Sequence, residues 1–248
     1  SGAISHTEAT SLNAVSATYI QATVSETTIA NLAAISVTNT SRSSLNKFSF
    51  VVSDTSATAA QLNSVQSLTS VSVDASNVAS ISSSPASDIT TLYTGTVPSG
   101  IGAAPITVSD TTAAATDLEA VNGYTTGKVT SSATTVTGLA ADVEPLLQLA
   151  DGVVEIAGDV AVTLTDTTLA AEPLNDINDA TTGVVTASSA TTVTGTLTEV
   201  QTAVTANNAG TIAGIGAANV TLDDPATAGT QSYAVSGIHT LIDTTGFT

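Results

Sequence analysis

Short stretches of alternating apolar and polar residues recur along the chain and predict β-strands with one buried face. In VTLTD at 162–166, valine and leucine alternate with threonine, and ITVSD at 106–110 has the same pattern. ATTVTG, which occurs twice, places a single valine at the inward position. The residues predicted to face the core from these strands are Val108, Val136, Val162, Leu164 and Val193.

After each strand the apolar spacing changes to i, i+3, which predicts a short helix. The pairs are Leu118/Val121, Leu146/Leu149 and Leu174/Ile177. Asp or Thr after the strand is expected to cap the helix that follows, because a side-chain oxygen accepts a free main-chain N–H. Proline fits the first helical turn, and glycine often ends a helix. We expect these roles for Pro145, Pro173, Gly127, Gly152, Gly183 and Gly210.

The same marks return at fixed intervals. Asp54, Asp110 and Asp166 are evenly spaced at intervals of 56, and Asp224 follows at an interval of 58. Leucines at 118, 146 and 174 are 28 apart. The sequence therefore predicts a unit of about 28 residues, with two slightly different units paired into a 56-residue repeat.

A unit this short cannot bury its apolar face alone, but stacked units can. We therefore predict a β-rich α/β solenoid of stacked coils, each with two short strands and a short helix. The pattern favours one elongated domain over 1–248. Its expected parts are shorter coils at 1–47, regular repeats at 48–224 with an irregular stretch at 82–105, and a truncated coil or docking segment at 225–248.

The charge balance limits the partners. With 21 acidic residues against 3 basic ones, the net charge is −18. Such a surface repels phosphate backbones and anionic headgroups, so we expect neither nucleic-acid binding nor association with membrane surfaces. The sequence holds no stretch of 18 apolar residues, so membrane insertion is not expected. Copies of the chain would repel one another unless salt screens them or divalent cations bridge them.

Candidate catalytic groups are sparse. The two histidines, His6 and His239, lie near opposite ends of the chain, and the cysteine count is zero. General acid–base and nucleophilic catalysis need such groups close together. We predict that the protein is not an enzyme and needs no cofactor.

Calcium is the one metal alternative that the sequence leaves open, because Ca²⁺ takes six to eight oxygen ligands. The recurring aspartates fit helix caps better, since glycine replaces Asp in the alternate unit at 138 and 195. The adjacent pair Asp223 and Asp224 is the best candidate calcium site. Outward threonine rows allow an ice-binding surface, although threonine is also simply a good strand residue.

Both ends of the chain carry apolar residues that either fold over as caps or dock onto another copy. At the N-terminal end these are Ile4, Leu12, Val15 and Ile20. At the C-terminal end they are Tyr233, Val235, Ile238, Leu241, Ile242 and Phe247.

The combination of V-T-[LV]-[ST]-D-T, a Leu-x-x-[VI] helix and G-x-V-T-x-x-x-A-T-T-V-T-G resembles the Thr/Ala-rich repeats of very large secreted bacterial surface proteins. The resemblance covers about residues 50–224. It implies an extracellular or cell-surface location and a structural role: a self-associating subunit or segment of a filament or surface layer. The alternative is a recognition module, such as an adhesin or phage fibre, that binds a surface glycan or receptor. Tyr93 in the irregular stretch would be its aromatic contact.

Overall fold

The structure, a computed structural model, describes residues 2–15, 20–36, 46–148, 154–223 and 234–235. For 13–15 and 234–235 it describes the backbone alone. The described residues form an α/β fold with several parallel sheets and eight helices. The chain divides into two compact units: the first holds Ser1–Asp110 and Ala120–Ser131, and the second holds Thr111–Glu119 and Ser132–Thr248.

The helices are short, with at most thirteen residues, and each contributes at least one buried apolar residue to the core. They are α1 (His6–Val15), α2 (Ile29–Leu32), α3 (Ala59–Gln66), α4 (Ala86–Thr94), α5 (Ala115–Tyr124), α6 (Ala140–Gln148), α7 (Ala171–Ala180) and α8 (Leu197–Ala209).

The strands are shorter still, at two to five residues each. They are β1 (Gln21–Thr23), β2 (Lys47–Ser49), β3 (Ser56–Thr58), β4 (Ser80–Ser84), β5 (Ile106–Val108), β6 (Thr112–Ala114), β7 (Val129–Ser131), β8 (Thr135–Gly138), β9 (Val154–Glu155), β10 (Ala161–Leu164), β11 (Thr168–Ala170), β12 (Val185–Thr186), β13 (Thr192–Gly195), β14 (Ile212–Ala213), β15 (Asn219–Leu222) and β16 (Ala234–Val235).

Strands of the first unit pair in parallel. β1 pairs with β2, and β3, β4, β5 and β7 lie side by side in that order. The register aligns Ala57, Ile81, Ile106 and Val129 across the second set, and all four are buried. The alternating pattern of the sequence therefore becomes a row of aliphatic side chains on one face of the sheet.

The second unit has two sets of paired strands. One runs β6–β8–β10–β12–β14 and is parallel throughout, with Val136, Val162, Val185 and Ile212 aligned and buried. The other runs β11–β13–β15–β16, and its last pair, β15 with β16, is antiparallel.

Three strands, and the three helices that follow them, begin at intervals of 56 residues. β3, β6 and β11 each begin a set of neighbouring strands, and they start at Ser56, Thr112 and Thr168. The helices that follow them start at Ala59, Ala115 and Ala171, with the same spacing. Within a sheet, paired residues lie closer in sequence than the predicted 28, since Ser56 pairs with Ser80 at a spacing of 24.

The predicted core is confirmed at the level of single residues. Each of the predicted inward residues is at most 2% exposed, namely Val108, Leu118, Val136, Leu146, Val162, Leu164, Leu174, Ile177 and Val193. Leu149 lies outside the described residues. The stretch at 82–105, although irregular in sequence, holds an ordinary helix in α4, with Ala86, Ile89 and Leu92 buried.

Two local predictions need correction. Pro173 lies in the first turn of α7 as expected, but α6 begins at Ala140, so Pro145 is inside that helix. Gly210 ends α8 in the left-handed conformation, with φ of 83°, as predicted. Gly127 and Gly183 do not end helices: α5 and α7 stop three residues earlier, at Tyr124 and Ala180. Gly152 lies outside the described residues.

Candidate functional site

The recurring aspartates accept hydrogen bonds from main-chain N–H groups at the start of the preceding helix. Oδ2 of Asp54 accepts from Ile29 at 2.8 Å. The corresponding bonds are Ala86 to Asp110 at 2.7 Å and Ala140 to Asp166 at 2.8 Å. We call an acceptor of this kind a backward cap, since it serves a helix that lies earlier in the chain. The predicted cap of the following helix is therefore wrong for these three aspartates.

Strand register explains the backward caps. β10 pairs in parallel with β8, and Leu164 lies opposite Gly138. Asp166 and Ala140 each lie two residues after this pair, so they are side by side, and Ala140 is the first residue of α6. The first N–H groups of a helix have no partner within the helix, and a carboxylate there also gains from the helix dipole.

Glu26 is a fourth backward cap, which the sequence pattern did not reveal. Its Oε2 accepts a hydrogen bond of 2.8 Å from the main-chain N–H of His6, and its Oε1 lies 3.0 Å from Nδ1 of the same histidine. The main-chain bond from His6 is the main cause that lowers the pKa of Glu26 to about 2. Glu26 and His6 are closer in sequence than the residues of the other three pairs, so the cap does not follow from the regular spacing of the aspartates.

The helices α3, α5 and α7, whose first residues are 56 apart, have a serine or a glycine in the place of the aspartate. Ala59 donates to Oγ of Ser84 at 2.8 Å, so this hydroxyl is the backward cap of α3. In the later repeats Gly138 and Gly195 approach Ala115 and Ala171 instead. These glycines place no side-chain oxygen at the start of α5 or α7. The alternation of Asp and Gly in sequence is thus an alternation of capping.

A second set of polar contacts comes from threonines at 69, 125 and 181, which are also 56 apart. The hydroxyl of Thr181 donates to the carbonyl of Val160 at 2.6 Å and accepts from the N–H of Gly183 at 3.0 Å. Thr125 and Thr69 make the equivalent bonds to carbonyls 21 residues earlier, at 2.7 Å each. We call these contacts threonine bridges. Their spacing is visible in the sequence, but their partners are not, because these lie 21 residues earlier in the chain.

Close approach of two chain segments explains Gly127 and Gly183. A Cβ at Gly183 would meet the carbonyl oxygen of Asp159 at 2.6 Å and would also clash with that of Val160. A Cβ at Gly127 would lie 2.6 Å from the carbonyl oxygen of Ala103. The repeated TTG therefore combines a threonine bridge with a glycine that lets the backbones meet.

The candidate calcium site is only half described. Asp223 is exposed, and its N–H donates to the carbonyl of Gly195 at 2.9 Å, whereas Asp224 lies outside the described residues. Across the ranges that the structure describes, His, Cys, Asp and Glu nowhere form a group of three that could hold a metal ion. The calcium site stays a prediction.

The other features singled out in the sequence are dispersed. His6 pairs with Glu26, while His239 is not among the described residues. Outward threonines align across neighbouring strands, as at Thr137, Thr163 and Thr186.

A shallow groove of about 350 Å³ runs along α1, lined by Ile4, Thr7, Glu8, Ser11 and Leu12.

Tyr93 stacks on Tyr124. Their ring centroids are 5.3 Å apart and the planes differ by 2°. The hydroxyl of Tyr93 donates to the carbonyl of Ile101 at 3.1 Å, and burial raises the pKa of Tyr93 to about 12. Both rings are half-buried.

No helix among the described residues is long and apolar enough to cross a membrane. Comparison of the chain with known protein families, with curated proteins and with solved structures finds no match.

Proposed function

We propose that this chain is a non-enzymatic structural protein. It is a solenoid of stacked coils that serves as a self-associating subunit or segment of an extracellular filament or surface layer. The observation that carries the proposal is that the recurring aspartates and threonines hydrogen-bond to the main chain of other segments of the same protein. Backward caps and threonine bridges engage the aspartates and threonines of the repeat in contacts between successive coils. A repeat whose polar residues hold its own backbone together is suited to load-bearing rather than to chemistry.

Burial supports the same proposal. The apolar side chains align across paired strands, as Val136, Val162 and Val185 do. Each segment therefore completes the core of its neighbour, which is the principle of a solenoid. Stability in such a protein comes from contacts between adjacent coils and grows with their number.

Charge sets the conditions for association. All three basic residues, Arg42, Lys47 and Lys128, fall in the first unit, so the second has neither lysine nor arginine. Two such surfaces repel each other at low ionic strength. Salt or divalent cations, calcium among them, are the agents that let copies approach.

Sedimentation and negative-stain electron microscopy of the full chain test the proposal. We expect monomers at low salt with a chelator and ordered filaments or sheets at high salt with Ca²⁺. A protein that stays monomeric in both conditions over a wide concentration range contradicts self-association. Assembly that is equal in both removes ions from the mechanism.

The segment 225–248 is either a cap over the end of the sheet or a docking segment for another copy, and the pairing of β16 favours the cap. Since β16 pairs with β15 of the same chain, we propose that it covers this sheet edge as a cap. Deletion of 225–248 should uncover the edge and increase association, because a free edge pairs with other chains. Deletion of 236–248 keeps β16 and is the matched control. Loss of multimers on deleting 225–248 would instead identify the segment as the docking element.

The second candidate function is a recognition module that binds a surface glycan. The stacked, half-exposed pair of Tyr93 and Tyr124 favours it, since tyrosine offers an apolar ring and a polar hydroxyl to a ligand. Binding of the full chain to a panel of neutral and acidic polysaccharides tests it. Loss of that binding on Tyr124→Ala would support recognition, and no binding by the unaltered chain would remove it.

A further inference from the structure

The stacked tyrosines join two helices that follow one another in the chain. Tyr93 lies in the last turn of α4, and Tyr124 is the last residue of α5. Both belong to the first compact unit. Their rings are nearly parallel, with centroids 5.3 Å apart, and both are partly exposed to solvent. Two phenol rings are therefore held together where an oxidant can reach them.

The composition directs oxidation to tyrosine. The chain contains no Cys, Met or Trp, and it has four tyrosines in all. Cys and Met are the usual sinks for oxidants in proteins, and neither is present to compete. The other two tyrosines, Tyr19 and Tyr233, lie outside the described residues.

We propose that Tyr93 and Tyr124 form an intramolecular dityrosine cross-link when the chain meets hydrogen peroxide and a haem peroxidase. Each phenol gives up one electron and its hydroxyl proton. The two phenoxyl radicals, whose spin is shared by the ring carbons beside the oxygen-bearing carbon, join through a new carbon–carbon bond. Each bonded ring carbon then loses its hydrogen as a proton, and each oxygen regains one. The net change removes two hydrogen atoms from the protein and reduces one hydrogen peroxide to two waters.

Bond formation requires the two rings to leave their stacked arrangement, and the position of Tyr124 permits this movement. It is the last residue of α5, follows Gly123 and is only half-buried. Helix ends fray and glycine loosens the backbone, so the Tyr124 ring can turn from the stacked arrangement into bonding contact. The bond would fasten α4 to α5 and restrict the unfolded chain, as a disulfide does.

The test treats the dilute full-length protein with hydrogen peroxide and a haem peroxidase. Three features are expected: dityrosine fluorescence, a monomer mass lower by two hydrogen atoms, and a higher melting temperature. Cleavage after acidic residues, of which Asp110, Asp117 and Glu119 lie between the two tyrosines, should release one linked peptide that contains both.

Conservative variants make the test specific. Tyr93→Phe and Tyr124→Phe keep the ring and should each abolish the intramolecular product. Tyr19→Phe and Tyr233→Phe are the matched controls and should leave it unchanged. The proposal is overturned if Tyr93→Phe still yields the cross-linked monomer, if the linked peptide contains Tyr19 or Tyr233, or if cross-links form only between chains.

Discussion

The carboxylate of Asp166 accepts a hydrogen bond of 2.8 Å from the main-chain N–H of Ala140, 26 residues earlier in the chain. Asp166 follows strand β10, and Ala140 begins helix α6. A residue that looks like the cap of the next helix therefore stabilises the previous one. The stability of each capped helix depends on the segment that follows it, and neighbouring segments are coupled.

Replacing Asp166 by alanine should lower the free energy of unfolding by about 1–3 kcal/mol, because a part-buried N–H loses a charged acceptor. Asp166→Asn should cost less, since its amide oxygen can still accept. Urea denaturation followed by circular dichroism measures both changes. Asp179→Ala, at an exposed position on α7, is the control and should change stability by less than about 0.5 kcal/mol. Equal effects of Asp166→Ala and Asp179→Ala would contradict the backward cap.

Thr181→Val keeps the shape of the side chain and removes the hydroxyl of a threonine bridge. The carbonyl of Val160 and the N–H of Gly183 both lose a partner. We expect a loss of about 1–3 kcal/mol in denaturant unfolding, the cost of unpaired buried polar groups. Thr165→Val, at an exposed position, is the matched substitution and should be nearly neutral. An equally neutral Thr181→Val would show that the bridge does not contribute.

Gly183→Ala should destabilise the second unit by about 1–3 kcal/mol, because the new methyl group collides with the carbonyl oxygens of Val160 and Asp159 and the backbones must separate. Gly158→Ala is the control, since a Cβ there meets nothing within 4 Å. Thermal unfolding of the two variants compares them directly. A Gly183→Ala protein that melts at the same temperature as Gly158→Ala would disprove the close approach.

Acid should weaken the first unit through Glu26. The pKa of this carboxyl is about 2 in the folded chain against an ordinary value of 4.5, mainly because the N–H of His6 donates to it. Its contribution is therefore fully present above pH 4.5 and is lost as the pH falls towards 2. Unfolding of the unaltered chain and of Glu26→Gln, measured over this range, should give a stability difference that shrinks with acid. A constant difference would contradict the assignment.

Strands and core residues could be predicted from sequence because their signal is local. Val162 and Leu164 alternate with polar residues, and both are buried, at 0% and 1% exposed. Leu146 and Leu174 follow the helical spacing with the same outcome. A pattern of period 2 or 3.6 is sufficient to identify the buried face of an element.

The partners of polar residues could not be predicted, because they depend on register between segments. Asp110 and the first residue of α4 meet only because β5 pairs with β4, with Val108 opposite Ser84. Nothing in the local sequence around Asp110 distinguishes this partner from the helix that follows. The role of Gly183 is not predictable for the same reason, since the residues that approach it, Asp159 and Val160, lie more than twenty positions earlier in the sequence.

Amide hydrogen exchange of Asp166→Ala and of the unaltered chain tests the central claim most directly, namely that the recurring carboxylates join successive segments rather than bind a ligand. The backward cap predicts that the N–H of Ala140 and the first turn of α6 lose protection in the variant, while the first turn of α7 keeps it. It also predicts that a chelator leaves the protection of Ala140 unchanged in the unaltered chain. Loss of protection in α7 with α6 intact, or loss at Ala140 on adding the chelator, would contradict the claim.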